Sequence, residues 1–221
     1  DKTNSPYISK QEAVMILGTM LGGYNIQPLI KCLENDELGE VAANALSTTL
    51  LIFDAFNEVL ALSETNKNAK TVIDAWAEGT WFKEKQEIAK QIKLTVYKVP
   101  GEINTDDLSP ATDAWSRPDI PLHALAMFKM PREGLEKPLE TIEDLKKKGN
   151  PLVFVGDVVG TGSSRKSATN SVLWHMGDEI PYIPNKKEGG FCFGGKIAPI
   201  FFNTLEDSGA FPVECDVSKL N

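Results

Sequence analysis

The chain has 221 residues, a formal net charge of −8 and 42% hydrophobic residues, a composition typical of a globular protein of one or two domains. The acidic charge disfavours broad, nonspecific binding to nucleic-acid backbones. Cys32, Cys192 and Cys215 form no Cys-x-x-Cys motif, which favours reduced thiols over a disulfide framework or a metal site. His123 and His175 are predicted to be ordinary, partly buried residues on helices. No signal peptide or apolar run of membrane-spanning length is recognisable, so we expect a cytoplasmic protein without membrane contact.

The first part of the chain is predicted to be a helical array. Ser9 and Glu12 have the spacing of a capping box, which marks the start of a helix. Asn25 is the predicted N-cap of a second helix. Two longer helices are predicted over residues 41–62 and 69–82. Successive helices joined by short polar turns predict an antiparallel array.

We predict a domain boundary at residues 88 and 89. Residues 1–88 form the helical domain, for which a HEAT-like stack is one arrangement although no sequence period supports it. The charged residues 84–91 are a predicted linker. Strands alternating with helices predict an α/β domain with a central sheet over residues 89–221. The predicted strands are 92–99, 151–155, 191–193 and 211–215, and the predicted helices are 122–128, 142–148, 167–176 and 199–206.

A glycine-rich loop follows the strand predicted at 151–155. Glycines at 160 and 162 allow a close backbone approach to a ligand, and the amides of the following helix N-terminus favour an anion. Ser163 and Ser164 add hydroxyls, and Arg165 adds a fork of donors that fits a carboxylate. The Gly-Lys-Ser/Thr of a Walker loop is absent and a dinucleotide motif is incomplete. The loop therefore indicates an anion site, with an ordinary strand-to-helix turn as the alternative.

A second cluster of polar residues lies earlier in the chain. Asp106 and Ser109 have the residue types of a hydrogen-bonded Asx-type turn. Arg117 follows Trp115 by two positions and directly precedes Pro118. It is a candidate second carboxylate ligand. Taken alone, each feature is more simply explained as loop structure.

These motifs, in this order, resemble those of a known family. Asn104–Ser109 (Asn-Thr-Asp-Asp-Leu-Ser), Arg117 and Gly162–Arg165 (Gly-Ser-Ser-Arg) resemble the swivelling domain of the aconitase superfamily. The longer strings Asp113–Ala126 and Gly194–Thr204 are similar to bacterial aconitases of the B type, and the resemblance covers essentially the whole chain. In that family a HEAT-like helical domain precedes the swivelling domain, which is the order predicted here.

The resemblance implies a hydro-lyase that interconverts citrate and isocitrate through cis-aconitate, with 2-methylisocitrate as a further candidate substrate. Ser163 matches the serine base that removes a carbon-bound proton. The positions that match substrate-binding or supporting residues are Ser164, Arg165, Arg117, Thr105, Asp106, Ser109 and Gly162. The family's [4Fe-4S] cluster is the Lewis acid of the reaction, and its cysteine ligands are not in this chain. We therefore expect no metal site here.

The chain starts at Asp1 rather than at methionine and ends in polar residues directly after a predicted strand. We therefore expect a fragment with an incomplete swivelling domain and no turnover of its own. Its expected partners are a tricarboxylate and the remaining aconitase domains, and the resemblance also allows mRNA, when the cluster is lost, and a homodimer. Two alternatives stay open. One is the small subunit of an isopropylmalate isomerase, against which the helical segment argues, and the other is a regulatory RNA- or protein-binding module.

Overall fold

The computed structural model describes residues 5–20, 23–49, 53–83 and 89–220. Contacts between residues divide the chain into two compact units, Asp1–Ala89 and Lys90–Asn221. In the part of the chain that the structure describes, no helix combines the length and the apolar character needed to cross a membrane.

The described residues of the first unit form helices and the turns that connect them. Its helices are α1 (Lys10–Thr19), α2 (Ile26–Cys32), α3 (Gly39–Ser47), α4 (Phe53–Ser63), α5 (Lys67–Glu78) and α6 (Thr80–Lys83). Leu29, Leu46 and Val72 are fully buried in its core. The indole nitrogen of Trp76 donates a 3.0 Å hydrogen bond to the carbonyl of Leu46, which ties α5 to the end of α3. A HEAT-like arrangement of these helices stays a prediction.

The two predicted helix caps have different outcomes. The capping box is confirmed, since the Glu12 amide donates to Ser9 Oγ over 3.1 Å and the Ser9 amide donates to Glu12 Oε2 over 2.7 Å. The prediction that the Asn25 side chain caps α2 is wrong. Asn25 stands at the N-cap position, but its amide group donates over 2.7 Å to the carbonyl of Leu17. It therefore links α2 to α1 instead of capping its own helix.

The single helix predicted over residues 41–62 is wrong, because the structure has two helices, α3 and α4, in this region. The hydroxyls of Thr48 and Thr49 both donate to the carbonyl of Ala45, over 3.1 and 2.8 Å. Side-chain hydroxyls that compete for backbone groups disfavour continued helix, and α3 ends at Ser47.

The helix predicted over residues 69–82 is also divided. Helix α5 ends at Glu78, and Gly79 adopts a left-handed conformation with φ of 67°, which is the usual helix C-cap geometry. The short helix α6 follows directly. Most of the predicted linker, residues 84–88, lies outside the described residues.

The second unit contains a four-stranded parallel sheet, which confirms the predicted α/β class. Its strands are β1 (Thr95–Asn104), β2 (Leu152–Thr161), β5 (Phe191–Ile197) and β6 (Phe211–Glu214), in the order β1-β2-β5-β6. A separate antiparallel hairpin, β3 (Asp178–Ile180) and β4 (Ile183–Glu188), was not predicted. The helices are α7 (Thr105–Leu108), α8 (Ile120–Ala124), α9 (Pro138–Lys146), α10 (Lys166–Met176) and α11 (Pro199–Asp207).

Strand β1 starts later and ends later than the predicted strand 92–99. It continues through Pro100 and Gly101 to Asn104. Proline removes a backbone donor and is tolerated on edge strands or at bulges. Both conditions hold here, because β1 is an edge strand and its register with β2 shifts between Val99 and Glu102.

Strand β2 is central in the sheet and is covered on both faces. Phe154 packs in the main core, where its ring stacks on Phe128 with 6.2 Å between centroids. Val153 and Val155 pack on the opposite face with Val217. This two-sided burial explains why the start of β2 is an uninterrupted apolar run. It also fixes the strand whose carboxyl end carries the glycine-rich loop.

Candidate functional site

The candidate site lies where β1 and β2 end. Because the two strands are parallel neighbours, their carboxyl ends lie at the same edge of the sheet, which is where ligands bind in open α/β sheets. Helix α7 follows β1 directly, and the loop Gly162–Arg165 follows β2. The two sequence motifs predicted from the resemblance are thus neighbours in space.

The first motif is a short capped helix and not an Asx-type turn alone. The Asn104 side chain accepts hydrogen bonds from the amides of Asp106 (2.7 Å) and Asp107 (3.0 Å), and the Asp107 carboxylate accepts from the Asn104 amide. Arg132 supports this cap from behind, since its guanidinium donates to Asp107 and to the carbonyl of Glu102. Arg132 was not predicted, because no local sequence pattern marks it.

The second motif is held against the first by Thr105. The buried Thr105 hydroxyl donates a 2.7 Å hydrogen bond to the carbonyl of Ser163. Gly160 and Gly162 have φ of 80° and 89°, a region that glycine enters without strain. A Cβ built on Gly160 would lie 2.2 Å from Phe201 in α11. The loop therefore needs glycine there both for its backbone angle and for close packing against α11.

Arg165 is oriented by the first motif. Its guanidinium forms a two-pronged ion pair with Asp106, and its Nη1 also donates to the carbonyl of Ser109 over 3.1 Å. The hydrogen bond from Arg165 lowers the pKa of the Asp106 carboxyl. Asp106 remains largely exposed, with 59% of its side chain accessible. The carboxylate that occupies the arginine fork is thus within reach of solvent.

A cleft of about 110 Å³ opens at this junction. Four of the predicted residues line it, namely Thr105, Gly162, Ser164 and Arg165, and the start of α11 forms the opposite wall. The Ser163 and Ser164 side chains are exposed. Their hydroxyls have no hydrogen-bond partner among the described residues. Ser164 lines the cleft, whereas Ser163 is not among its lining residues.

Arg117 is not part of this cleft. Its Nε lies 3.3 Å from the carboxylate of the buried Asp113, and its Nη1 donates to the carbonyl of Leu122. Lys129 Nζ also contacts Asp113, at 2.9 Å. The hydrogen bond from Lys129, together with the charges of Lys129 and Arg117, lowers the pKa of Asp113. Arg117 instead lines a separate cleft of about 250 Å³.

Ser109 and His123 connect the two clefts. Ser109 is fully buried, and its hydroxyl lies 2.7 Å from His123 Nε2 and 2.6 Å from the hydroxyl of Ser167. The Arg117 cleft is lined by both His123 and Ser167. The prediction that His123 and His175 are partly buried is wrong in degree, since both are buried. The roles of His123 and Ser167 in this network were missed, because single serines and histidines carry no spacing signal.

The cysteines do not form a metal centre in the described structure. Cys32 lies in the first unit, Cys192 is buried on β5, and Cys215 follows β6, all as free thiols. Burial raises the pKa of the Cys192 thiol to about 12, which disfavours the thiolate that a metal requires. Among the described residues, no group of three or more potential His, Cys, Asp or Glu ligands is gathered. The residues that the structure describes therefore do not fit an iron–sulfur cluster.

The fold and the loop define an α/β protein with a candidate anion site at the carboxyl ends of two parallel strands. Two family models match the chain, "Aconitate hydratase 2 N-terminus" over residues 94–221 and "Aconitate B N-terminal domain" over residues 1–82. The chain belongs to the aconitate hydratase B family.

Relatives in several bacteria share this similarity. Aconitate hydratase B of Synechocystis sp. is 65% identical over 98% of the chain, that of Escherichia coli is 58% identical over 100%, and that of Helicobacter pylori is 53% identical over 99%. The matched region is 25% or 26% of each relative. The chain therefore spans about a quarter of the length of these relatives.

Proposed function

We propose that this chain is the part of an aconitate hydratase that supplies the serine base and the carboxylate-binding arginines for the interconversion of citrate and isocitrate through cis-aconitate. The observation that carries the proposal is the convergence of Thr105, Gly162, Ser164 and Arg165 on one cleft at the strand ends. Family membership supports the same chemistry, since the relatives bear the name aconitate hydratase B. It also favours this proposal over the small subunit of an isopropylmalate isomerase.

Ser163 is the proposed base. In the dehydration direction the Ser163 alkoxide takes the carbon-bound proton of the substrate and becomes a hydroxyl. The electrons of that C–H bond form the new double bond, and the C–O bond at the neighbouring carbon breaks, so that the substrate hydroxyl leaves as hydroxide with the electrons of that bond. Serine is a weak base in water, so its alkoxide needs a cationic, water-poor surrounding. Arg165 is two positions away and is the proposed source of this positive charge, which becomes available when a ligand displaces its partner Asp106.

Arg165 and Arg117 are the proposed carboxylate ligands, with Ser164, Gly162, Thr105, Asp106 and Ser109 as binding or supporting positions. A bidentate contact between guanidinium and carboxylate is a strong, directional interaction. Because Arg165 and Arg117 line different clefts, we propose that they bind different carboxylates of one substrate. The Lewis acid, a [4Fe-4S] cluster in our proposal, belongs to other parts of the protein because the residues described here do not fit it.

The test is made in the full-length enzyme with Ser163→Ala. We expect kcat to fall by about a thousandfold, the contribution typical of a positioned proton acceptor, with little change in KM. Ser63→Ala in helix α4 is the matched control, because it removes a serine hydroxyl that donates only to the carbonyl of Leu60. An S163A enzyme with nearly wild-type kcat refutes the assigned base.

A second test concerns the chain by itself. The exposed Ser163 lacks the dry surrounding that an alkoxide needs, so the purified 221-residue chain is expected to show no turnover of citrate. Formation of cis-aconitate by that chain without added protein contradicts this expectation. Activity on 2-methylisocitrate, mRNA binding, a homodimer and a cytoplasmic location stay predictions.

A further inference from the structure

We infer that His123 is a positioning residue that sets the placement of Arg117 relative to Arg165. The inference rests on the proposed function, in which both arginines bind carboxylates of one substrate. Both nitrogens of the His123 imidazole are within hydrogen-bonding distance of other groups, although the residue is only 8% exposed.

The first contact is with the segment that carries Arg117. His123 Nδ1 lies 3.1 Å from the backbone carbonyl oxygen of Arg117. A carbonyl oxygen only accepts hydrogen bonds, so Nδ1 carries the proton and donates it. In the neutral ring, Nε2 is then an acceptor, and the tautomer is fixed by this one contact.

The second contact runs toward Arg165. With Nε2 as acceptor, the Ser109 hydroxyl donates to His123 over 2.7 Å, and the hydroxyl oxygens of Ser109 and Ser167 lie 2.6 Å apart. Ser167 is in the first turn of α10, immediately after the loop that ends at Arg165.

Ser109 completes the connection through its backbone. Its carbonyl oxygen accepts a 3.1 Å hydrogen bond from Arg165 Nη1. One fully buried residue therefore holds Arg165 by its carbonyl and His123 by its hydroxyl. Loss of His123 leaves the Ser109 hydroxyl and the Arg117 carbonyl without these partners. The position of Arg117 relative to Arg165 is then expected to be less well fixed.

The competing role for His123 is that of a core residue that only adds stability. His175, near the end of α10, provides the comparison, because it is also buried and its one side-chain hydrogen bond among the described residues is with the carbonyl of Ala124, at 3.0 Å. If His123 were only a core residue, its replacement would lower stability as replacement of His175 does and leave substrate affinity unchanged.

The first test is independent of activity. Long-range proton–nitrogen NMR correlations of the 221-residue chain, recorded at mildly alkaline pH, distinguish the protonated from the unprotonated ring nitrogen. We expect Nδ1 of His123 to be the protonated nitrogen. The opposite tautomer, with the proton on Nε2, overturns the inference even if the proposed function is correct.

The second test uses steady-state kinetics of the full-length enzyme. His123→Phe keeps a ring but removes both hydrogen bonds. His123→Asn keeps a donor near the Arg117 carbonyl, and His123→Gln keeps an acceptor near Ser109. For H123F we expect KM for citrate to rise about tenfold, the usual cost of leaving a buried polar partner unpaired, with a smaller change in kcat. H123N and H123Q are expected to recover part of this loss.

His175→Gln is the control, with an expected KM close to that of the wild type. Unchanged KM in H123F, or an equal change in H175Q, overturns the inference. If H123F does not accumulate, the two polar variants and the tautomer decide the question. A wild-type enzyme that fails to convert citrate refutes the proposed function and leaves the tautomer result standing, so the two failures are distinguishable.

Discussion

The two arginines proposed to bind carboxylates, Arg165 and Arg117, are paired with acidic side chains in different ways. Arg165 pairs with Asp106, whose side chain is 59% exposed, and Arg117 pairs with Asp113, whose side chain is 5% exposed. Asp113 also serves a second cation, Lys129, so the Arg117 cluster keeps a net positive charge. The Arg165 pair is balanced one to one.

The two acidic partners differ in how readily a ligand can replace them. An exposed ion pair contributes little to stability, because water solvates both charges when the pair opens. A carboxylate buried between two cations leaves uncompensated charges when it is removed. We therefore expect a substrate carboxylate to compete with Asp106 for the fork of Arg165. At Arg117, we expect a substrate carboxylate to bind without displacing Asp113.

The largest expected loss of stability comes from a substitution at Gly160, which packs against Phe201 in the wall of the Arg165 cleft. Gly160→Ala places a Cβ against the ring of Phe201 and at a φ of 80°. Overpacking typically costs about 1–3 kcal/mol, and a left-handed non-glycine residue adds about 1 kcal/mol. We expect denaturant unfolding to show a loss of about 3 kcal/mol.

Gly149→Ala is the control for that substitution. Gly149 has a similar φ of 77°, but its added Cβ would meet nothing within 4 Å. It therefore measures the backbone strain alone, expected at about 1 kcal/mol. Equal losses of unfolding free energy in G160A and G149A would show that Phe201 moves to accommodate the added methyl group. The expectation of a closely packed wall at the Arg165 cleft would then be wrong.

The next effect is expected at the Arg117 cluster. Asp113→Asn removes the one charge that Arg117 and Lys129 share, and we expect the thermal unfolding midpoint to fall by about 5 °C. Asp119→Asn is the control, because Asp119 caps α8 through the Leu122 amide and asparagine caps equally well. A D113N midpoint equal to that of D119N contradicts the distinction between the two arginines.

The loop of the Arg165 cleft was predictable from sequence because its signal is local. A strand, spaced glycines and a helix start lie within consecutive residues, and the structure places Gly162–Arg165 between β2 and α10 as this pattern predicts. The Asn104 cap was readable too, since Asn104 and Asp107 have capping-box spacing. The prediction for this segment was an Asx-type turn at Asp106 and Ser109, without a cap at Asn104.

The ion pairs were not predictable, because they depend on packing between distant segments. Arg165 and Asp106 are 59 positions apart, and they meet only because β1 and β2 are parallel neighbours in the observed register. The same holds for Arg132, which lies 25 positions from Asp107. Arg117 and Asp113 have helical spacing, but the burial of Asp113 and its second partner Lys129 follow from tertiary structure.

The stability that Asp113 gives to the Arg117 cluster is expected to depend on pH. The pKa of Asp113 is lowered in the folded protein, below the value of about 3.9 expected when unfolded. Its stabilising contribution is therefore present above about pH 4 and is lost as the pH falls through the folded pKa. The difference in thermal midpoint between wild type and D113N should narrow as the pH is lowered from neutrality to about pH 3. A difference that stays constant over this range contradicts the charge-based explanation.

The smallest effect on stability is expected at the Arg165 pair. Asp106→Asn removes an exposed partner, so the thermal midpoint should change by less than about 2 °C. Asp144→Asn is the matched control, because Asp144 forms an exposed ion pair with Lys147 on α9. A fall in thermal midpoint in D106N as large as that in D113N would show that the ion pair of Arg165 contributes as much to stability as that of Arg117. A small change, equal to that of D144N, means that the fork of Arg165 can exchange Asp106 for a ligand carboxylate at little cost, as a binding arginine requires.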